Sequence, residues 1–347
     1  MNTSRWSVDK NVDNLESYPQ ITQASQKLME NEAVAFPTET VYGLGGNAEN
    51  DEAVGKIFAA KGRPADNPLI IHIAERGQLA AFVEDIPAKA ERLMDAFWPG
   101  PLTLVFNKRD GALSDLATAG LATVGVRMPD HPVALALLKK TNLPIAAPSA
   151  NRSGKPSPTT AAHVWEDLNG RIAGVVDGGP TGVGLESTVL DCTEEIPTIL
   201  RPGGITKEQL VEVIGEVKMD PALQDTAQAP RSPGMKYQHY APNAPLYLVE
   251  GSKEAIQKLV SEKRNEGLTV GVLTTEENTD FYDANVVIAC GRRSNLETVA
   301  SGLYDALRQF NHADIDIIYG EVFSAEGVGA AVMNRLVKAA GHRVISI

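Results

Sequence analysis

The sequence predicts an α/β fold in two domains that are joined by a proline-rich linker. Strand patterns alternate with helical patterns over residues 20–215, which is typical of an α/β domain. Between residues 216 and 245 the alternation stops, and five of 30 residues are proline against 21 of 347 in the whole chain, as in a linker. Alternation resumes over residues 246–347 and predicts a second, smaller and mostly parallel sheet.

Apolar segments bounded by turn residues are the strand candidates of the first domain. They are AVAFPT, PLIIHI, LTLVF, PIAAPSA, GVVDGG and STVLDC. Helices are predicted between them at residues 22–31, 51–61, 87–97, 131–141, 160–169 and 206–214. Gly62 follows the second helix, at the position where a left-handed C-terminal cap is common. Thr206 and Gln209 have the spacing of a capping box and mark the start of the last helix.

The second domain shows the same alternation. Its strand candidates are LYLVE, LTVGVLT, NVVIAC, DIDIIYGEVF and RVISI, with helices predicted at 253–266, 295–310 and 328–341. Ser294 and Glu297 have capping-box spacing at the second of these helices. The glycine cluster GVGAAVMN lacks the third glycine of a dinucleotide fingerprint, so close packing is the better interpretation.

Composition bounds the class of protein. A net charge of −12 argues against broad, nonspecific binding to nucleic acid, because Lys and Arg supply most of that affinity by neutralising phosphates. Cys192 and Cys290 are too few for a disulfide framework or a thiolate metal site, so each is predicted to be a small buried hydrophobe. The sequence shows neither a signal peptide nor an apolar run long enough to cross a bilayer, so we expect a cytoplasmic protein without membrane contact.

The segment KGRPADNPLIIH, residues 61–72, carries the densest set of functional side chains. Lys61 falls in the last turn of a predicted helix and Arg63 just beyond it, while His72 lies at the centre of a strand candidate. The two cations could simply complement the helix dipole. Two cations on a proline-bounded backbone, near the Asn67 amide and an imidazole, also suit an anionic substrate of defined shape.

Two further loops combine hydroxyl groups with glycine. FPTETVYGLGGNA places Thr38 and Thr40 after a strand, which makes either a binding edge or a glycine turn capped by Thr38. PSANRSGKPSPT holds Ser149, Asn151 and Ser157 with a lysine, which suits either a phosphate cradle or a plain polar loop. No Walker pattern occurs, so a nucleotide would bind without a P-loop.

Three more side chains sit beside strands. Arg127 ends a short apolar run and has a fork suited to a carboxylate. Ser187 follows one glycine-rich loop, and Arg201 precedes another. Each alone fits a structural turn equally well. Together with the preceding loops they predict a ligand site at strand ends, where α/β folds bind their ligands.

Eight segments, in this order, resemble the long form of the threonylcarbamoyl-AMP synthase family. They are FPTETVYGLG, KGRPADNPL, FWPGPLT, VGVRMPDHP, APSANRSG, GLESTV, LRPGGIT and SPGMKYQHYAP. The resemblance implies a YrdC-like catalytic domain with a twisted mixed sheet at 20–215, a linker or lid at 216–245 and a Rossmann-like domain at 246–347. The family's K-x-R and S-x-N signature falls on the catalytic residues Lys61, Arg63, Ser149 and Asn151.

The resemblance also implies an activity. Such an enzyme is a nucleotidyltransferase that condenses L-threonine, bicarbonate and ATP into threonylcarbamoyl-AMP and pyrophosphate. Mg²⁺ would accompany ATP, and no residue is implied as a metal ligand. The product would pass to the machinery that modifies the adenosine beside the tRNA anticodon, and weak binding of tRNA itself is left open.

The resemblance assigns the substrate contacts residue by residue. The implied threonine-binding residues are Thr40, His72, Arg127, Ala147 and Ser187. The implied ATP-binding residues are Arg63, Asn67, Thr123, Ser149, Ser157, Arg201 and Tyr240. Tyr240 belongs to the linker, whose residues 231–242 are expected to close as a lid, since the carbamate and the mixed anhydride hydrolyse easily in water.

Two other functions share the YrdC-like fold. An RNA-binding protein would use a concave surface for double-stranded RNA, against which the acidic composition argues. A carbamoyl-phosphate-dependent carbamoyl transferase would be expected to carry zinc-finger or acylphosphatase-like segments, and the sequence shows neither.

Overall fold

A computed structural model describes residues 2–223 and 239–347, which fall into two compact units. The described part of the first unit consists of residues 2–153, 158–182 and 186–223. The second consists of residues 154–157, 183–185 and 239–347. The domain boundaries at residues 20, 215 and 246 stay predictions.

The first unit is built on a mixed sheet. Its strands are β1 (Ser4–Ser7), β2 (Val34–Phe36), β3 (Gly43–Asn47), β4 (Ile71–His72), β5 (Leu102–Asn107), β6 (Thr123–Arg127), β7 (Ile145–Ala146), β8 (Gly174–Asp177), β9 (Thr188–Asp191), β10 (Thr198–Arg201) and β11 (Lys218–Met219). They pair in the order β1-β8-β2-β3-β7-β4-β6-β5-β9-β10-β11, with both parallel and antiparallel neighbours. The predicted mixed α/β domain is therefore confirmed.

Helices cover this sheet. They are α1 (Pro19–Met29), α2 (Asp51–Lys61), α3 (Ala88–Phe97), α4 (Asp115–Thr118), α5 (Pro132–Thr141), α6 (Ala161–Leu168) and α7 (Lys207–Ile214), with 3₁₀ turns at Leu15–Ser17, Arg76–Ala81 and Pro221–Leu223. Gly62 caps α2 in the left-handed conformation, at φ 62°. Thr206 and Gln209 form the predicted capping box of α7. The main core is apolar and includes Leu44, Ile57 and Leu104.

Several elements differ from the sequence prediction. The prediction missed β1, β3, β6, β10, β11 and the short α4. PLIIHI forms only a two-residue strand, and the first helix spans 19–29 instead of 22–31, because Pro19 occupies its first turn. Of the two alternatives left open for the segment after Thr40, the glycine turn does not form, because its glycines lie in β3. A Cβ on Gly45 would lie 2.7 Å from the Phe36 ring, so this glycine permits close packing.

The second unit contains a five-stranded sheet whose neighbouring strands are all parallel. Its strands are β12 (Leu246–Glu250), β13 (Val270–Thr274), β14 (Val286–Ala289), β15 (Ile317–Glu321) and β16 (Val344–Ser346), in the order β14-β13-β15-β12-β16. Its helices are α8 (Lys253–Asn265), α9 (Leu296–Gln309) and α10 (Val328–Ala339), with 3₁₀ turns at Glu276–Phe281 and Phe310–His312. The predicted smaller parallel domain is confirmed.

One helix cap differs from the prediction, whereas both cysteines are buried as predicted. Asn295, and not Ser294, caps α9, and its side chain accepts the Glu297 N–H at 3.1 Å. Both cysteines are buried and free, and burial raises the pKa of each thiol to about 12. No helix in the described ranges is long and apolar enough to cross a membrane.

Candidate active site

Three predicted site residues end strands at the same edge of the first sheet. β4 and β6 are parallel neighbours, with His72 directly opposite Arg127. β10 ends in Arg201 and runs in the direction of β6, because two antiparallel steps and one parallel step separate these strands. Thr123 begins β6 and therefore lies roughly 13 Å from Arg127 along the strand. The predicted ATP residue Thr123 is thus at the opposite edge.

Arg127 is held by three groups. It is 4% exposed, and its Nη1 donates a hydrogen bond to Thr40 Oγ1 at 2.8 Å. Its Nε donates to the Gly100 carbonyl at 3.2 Å, and its Nη2 makes an ion pair with Glu39 Oε2 at 2.5 Å. Neither carboxylate oxygen of Glu39 accepts a hydrogen bond from the residues that the structure describes, so this contact is a charge pair only. Glu39 therefore pairs with the guanidinium that is predicted to bind a substrate carboxylate.

Glu39 is not among the predicted site residues, although it stands between Thr38 and Thr40 in FPTET. A buried guanidinium requires a compensating anion. If Arg127 is expected to be buried, the need for an anion therefore indicates an acidic residue in another site motif, such as Glu39 in FPTET. The pairing itself joins segments far apart in sequence, and only the fold specifies it.

His131 is a second residue that the sequence analysis did not single out. It caps the start of α5 and is 6% exposed, and neither ring nitrogen has a hydrogen-bond partner within the described ranges. Burial lowers the pKa of His131 to about 4, while the Glu39 carboxylate opposes this shift. Burial, and then the charge of Glu39, raise the pKa of Asp130. The Arg127–Glu39 pair is therefore coupled to a neutral imidazole and a second acid.

His72 lies in the strand beside Arg127 and is also neutral. Burial, and then the charge of Arg127, lower the pKa of His72 to about 3. Its Nδ1 is 3.2 Å from the Ile70 carbonyl, which can only accept, so Nδ1 carries the proton and Nε2 is an acceptor. The same carbonyl accepts the Ala147 N–H at 2.9 Å. The predicted threonine residues His72 and Ala147 are thereby neighbours.

The K-x-R lysine and the S-x-N loop also meet in the structure. Lys61 is 2% exposed, and its Nζ lies 2.5 Å from the Ser149 carbonyl, 2.6 Å from the Asn151 carbonyl and 3.4 Å from Asn151 Oδ1. Ser149 Oγ donates to Asn151 Oδ1 at 2.6 Å. A buried ammonium is stable only when its N–H groups are hydrogen-bonded, and these carbonyls meet that need. Lys61 therefore fixes the conformation of the loop.

Strand β3 supports this loop from the other side. The Leu44 N–H donates to the Pro148 carbonyl at 2.8 Å, and the Ala150 N–H donates to the Tyr42 carbonyl at 2.8 Å. Arg63 continues from the α2 cap, and its Nη2 lies 3.4 Å from the carbonyl of the buried Asn67. The two halves of the K-x-R and S-x-N signature thus rest on α2 and β3.

Ser187 and Arg201 form a second buried cluster. The Arg201 guanidinium donates to the Ser187 carbonyl from Nε at 3.1 Å and from Nη2 at 2.9 Å, and to Ser187 Oγ at 3.2 Å. Ser187 Oγ also lies 2.7 Å from Thr103 Oγ1, a residue that the sequence analysis did not predict. A Cβ on Gly203 would lie 2.3 Å from the Thr188 nitrogen, so glycine permits this close approach. A predicted threonine residue and a predicted ATP residue are therefore in direct contact.

The remaining predicted residues belong to the second unit. Ser157 is buried there. Tyr240 is 4% exposed with φ 66°, and its ring centroid is 5.1 Å from that of Tyr304 and 5.6 Å from that of His239. Of the predicted lid, residues 231–238 lie outside the described residues. The ATP contacts of Ser157 and Tyr240, and the lid itself, stay predictions.

Family models match nearly the whole chain. Residues 26–203 match the family of Sua5, YciO and YrdC proteins, described as telomere recombination. Residues 205–341 match the family described as threonylcarbamoyl-AMP synthase, C-terminal domain.

Named relatives agree with both matches. The chain is 60% identical over 345 residues to a threonylcarbamoyl-AMP synthase of Bacillus subtilis, covering 99% of this chain and 100% of the relative. A threonylcarbamoyl-AMP synthase of Photobacterium profundum is shorter, with 32% identity covering 53% of this chain and 98% of the relative.

A solved structure extends the similarity to the fold. The crystal structure of Pyrococcus abyssi Sua5 complexed with L-threonine superposes with a TM-score of 0.92 at 46% identity, covering 99% of this chain and 100% of that chain. This likeness and the full-length identity to the Bacillus enzyme confirm the resemblance noted in the sequence, and the chain belongs to the long form of the threonylcarbamoyl-AMP synthase family.

Proposed function

We propose that this chain condenses L-threonine, bicarbonate and ATP into threonylcarbamoyl-AMP and pyrophosphate at the sheet edge around Arg127. The observation that carries the proposal is the buried guanidinium of Arg127, held between the Thr40 hydroxyl and Gly100 and opposite the neutral His72. Support also comes from relatives named as this synthase and from the Pyrococcus abyssi structure described with L-threonine.

Threonine offers three groups that these residues could bind. Its carboxylate suits the fork of Arg127, where it would compete with Glu39 for the Nη2 side. Its hydroxyl suits the Thr40 and Ser187 hydroxyls, and Nε2 of the neutral His72 can accept a hydrogen bond from the hydroxyl or the amine. These assignments match each group of threonine to a side chain that can donate or accept the corresponding hydrogen bond.

ATP would be held by the signature residues and Arg201. Lys61 already bonds to the carbonyls of Ser149 and Asn151, so we assign it the role of positioning that loop. Arg63 and Arg201 then supply the charge next to the phosphates. Mg²⁺ would accompany ATP and offset the charge of its phosphates.

The chemistry follows from these contacts. The threonine amine, in its neutral form, adds to CO₂ with loss of a proton, or to bicarbonate with loss of water, and forms a carbamate. A carbamate oxygen then attacks the α-phosphorus of ATP, and pyrophosphate leaves. Bicarbonate, ATP and the carbamate are anionic, so fixed cations and hydrogen-bond donors stabilise the transition state, and positioning provides the remaining rate enhancement.

We further infer that the product serves the modification of the adenosine beside the tRNA anticodon, by passing to a separate transfer machinery. The relatives are named for the synthesis of threonylcarbamoyl-AMP, a product whose activated carbamoyl group a transfer enzyme can use. ATP, threonine and tRNA meet in the cytoplasm, where we place the activity.

The test is an omission assay on the full chain. Pyrophosphate release from ATP is measured with threonine and bicarbonate each left out in turn. We expect release only when both are present. Release that continues without threonine would contradict the proposed reaction, and turnover of carbamoyl phosphate in place of ATP and bicarbonate would favour carbamoyl transfer.

A further inference from the structure

The second unit contains a cavity that is not lined by any residue of the candidate active site. Its volume is about 450 Å³, and it opens at the carboxyl ends of β12 and β15. Polar side chains from several segments line it, namely those of Ser252, Lys253, Glu254, Asn278, Arg293 and Glu321. All lining residues lie in the second unit.

The topology places this cavity at a position where parallel sheets bind ligands. In the order β14-β13-β15-β12-β16, the chain leaves β12 toward β13 on one side and leaves β15 toward β16 on the other. Since such crossovers are right-handed, α8 and α10 lie on opposite faces of the sheet. The connections that follow β12 and β15 therefore run in opposite directions, and a crevice forms between these two strands, as at the switch points of open α/β sheets.

A buried carboxylate organises one wall of the cavity. Glu321 is 4% exposed, and its Oε1 accepts hydrogen bonds from Thr274 at 2.8 Å, Asn278 at 2.9 Å and Tyr282 at 2.8 Å. Its Oε2 accepts from Arg293 Nη2 at 2.6 Å. With four donors from the protein, this carboxylate is fully occupied.

The Glu321 network holds Arg293 in a fixed position. Arg293 Nη1 donates to the Val322 carbonyl at 3.1 Å, and its guanidinium lies 4.9 Å from the Phe323 ring centroid. The side chain remains 44% exposed. A guanidinium has five N–H donors, and these contacts use two of them. A rigid, partly exposed guanidinium on a buried carboxylate is typical of a group prepared for an oxyanion.

The other charged groups leave a surplus of donors. Lys253 lies 4.5 Å from the Phe281 ring centroid, and its ammonium donates no hydrogen bond to any residue in the described ranges. Glu254 is exposed, and hydrogen bonding to its own backbone and to Ser252 lowers the pKa of its carboxyl group. The Glu321 carboxylate is occupied by protein donors and Glu254 is exposed to solvent, while Arg293 and Lys253 retain donors for a ligand.

We propose that this cavity binds a small molecule through a phosphate or carboxylate group held by Arg293, with Lys253 as a second cation. The volume lies in the range of small-molecule sites and exceeds that of a lone phosphate ion, so the ligand carries a neutral body beyond its anionic group. The proposal does not rest on the proposed synthase activity, because no residue of the cavity belongs to that site.

The test observes Arg293 directly in the full chain. The protein is labelled with ¹⁵N at arginine, and the Nε–H signal of Arg293 is identified by its disappearance in Arg293→Lys, which keeps the charge on Glu321. The probes are inorganic phosphate, ribose 5-phosphate, acetate and neutral ribose. Because the readout is one side chain, binding of a probe at the synthase site does not obscure the result.

We expect the Arg293 signal to shift saturably with an oxyanion and not with ribose. Response to ribose 5-phosphate or inorganic phosphate identifies a phosphate ligand, and response to acetate alone identifies a carboxylate ligand. Lys253→Gln should raise the dissociation constant by about tenfold, which is the effect of losing one charged hydrogen bond.

Arg292→Gln is the matched control, since Arg292 is the adjacent, exposed residue paired with Glu276 and does not line the cavity. It should leave the dissociation constant unchanged. The proposal is overturned if no oxyanion shifts the Arg293 signal, or if Arg292→Gln weakens binding as much as Lys253→Gln, which would show only general charge attraction.

Discussion

Hydroxyl groups fixed by the protein should let the proposed site distinguish threonine from 2-aminobutyrate, which lacks only the hydroxyl. Thr40 Oγ1 is bonded to Arg127, and Ser187 Oγ is bonded to Arg201 and lies beside Thr103. A site built to hydrogen-bond a substrate hydroxyl leaves polar groups unpaired with the analogue, so kcat/KM should fall by about 10²-fold or more. Pyrophosphate release with each amino acid measures this ratio. Equal turnover of the two amino acids would contradict the threonine assignment. Ser187→Ala should lower the ratio of kcat/KM for threonine to that for 2-aminobutyrate.

Lys61 should act through the loop that it holds. Lys61→Ala removes the donor shared by the Ser149 and Asn151 carbonyls. The loop should then shift, and kcat and kcat/KM should fall together by about 10²-fold, the effect of a misplacement near 1 Å. Lys56→Ala is the control, because Lys56 lies in the same helix and pairs with Glu32 and Glu52. If Lys61→Ala raised only the KM for ATP, the positioning role would be wrong.

The buried His72 should make stability depend on pH in a defined direction. Its folded pKa, about 3, lies below its ordinary value of 6.5. Below pH 6.5 the unfolded chain takes up a proton that the folded chain does not, so this contribution is full above pH 6.5 and is lost as the pH falls toward 3.

The difference in unfolding free energy between the wild type and His72→Gln should therefore shrink by up to about 3 kcal/mol between pH 7 and pH 4. Urea unfolding at both pH values measures it. The other titrating groups, His131 included, are present in both proteins and largely cancel. A difference that is constant with pH would mean that the pKa of His72 is the same in the folded and the unfolded chain, which would contradict the lowered pKa.

At the scale of single elements, β3 depends on glycine for packing. A Cβ on Gly45 would lie 2.7 Å from the Phe36 ring and 2.9 Å from Ile145 Cγ2. Gly45→Ala should therefore lower the unfolding free energy by about 1–3 kcal/mol, the cost of overpacking a core. It should also lower synthase activity, because β3 supports the loop at Pro148 and Ala150.

Gly55→Ala is the matched control within the same unit. Gly55 lies inside α2, and nothing lies within 4 Å of the added Cβ. Alanine is favoured over glycine in helices, so stability should rise by up to about 1 kcal/mol. Thermal unfolding of both variants decides the matter, and a loss of stability at Gly55 equal to that at Gly45 would contradict the packing argument.

Local signals made the helices predictable, while long-range packing hid several strands. The Gly62 cap and the Thr206–Gln209 capping box are local in sequence, and α2 and α7 formed as predicted. The cap of α9 was misplaced because Asn295 is an equally good cap next to Ser294, which instead bonds to Glu277. β3 was missed because its glycines are required by close packing against residues elsewhere in the sequence, which the local pattern does not show.

The candidate site divides in the same way. Arg127 was predictable from its position at the end of an apolar run, and the K-x-R and S-x-N residues were predictable from the family resemblance. Glu39 and Thr103 were not predicted, because their contacts with Arg127 and Ser187 arise from segments brought together by the sheet. Sequence patterns thus indicated the functional groups, and only the fold specified their partners.

At the scale of the whole molecule, the acidic charge should exclude RNA binding as the main function. With a net charge of −12, the chain has no general excess of cations to neutralise phosphates. We expect no detectable binding of duplex RNA at about 0.15 M salt in a filter-binding assay, where the Debye length is about 8 Å. Salt-dependent binding without pyrophosphate release would instead favour the RNA-binding alternative.

The division into two units predicts what a shortened chain can do. A chain ending at Leu223 keeps β11, which pairs with β10, and it keeps the main apolar core of the first unit. It should therefore unfold cooperatively, as judged by circular dichroism. The relative in Photobacterium profundum, 98% of which matches 53% of this chain, shows that a protein of about this length exists in its own right.

The same shortened chain should lose most of its synthase activity. Residues 154–157 group with the second unit, and Arg308 Nη2 donates to the Pro156 carbonyl at 2.5 Å. Removing that partner frees the segment that holds Ser157, a predicted ATP residue, and also removes Tyr240. The comparison is pyrophosphate release by the shortened chain, the full chain and full-length Arg308→Gln, which should fall between them. Full activity in the shortened chain would show that neither Tyr240 nor the support of Pro156 contributes to the reaction, and the predicted lid would then have no role.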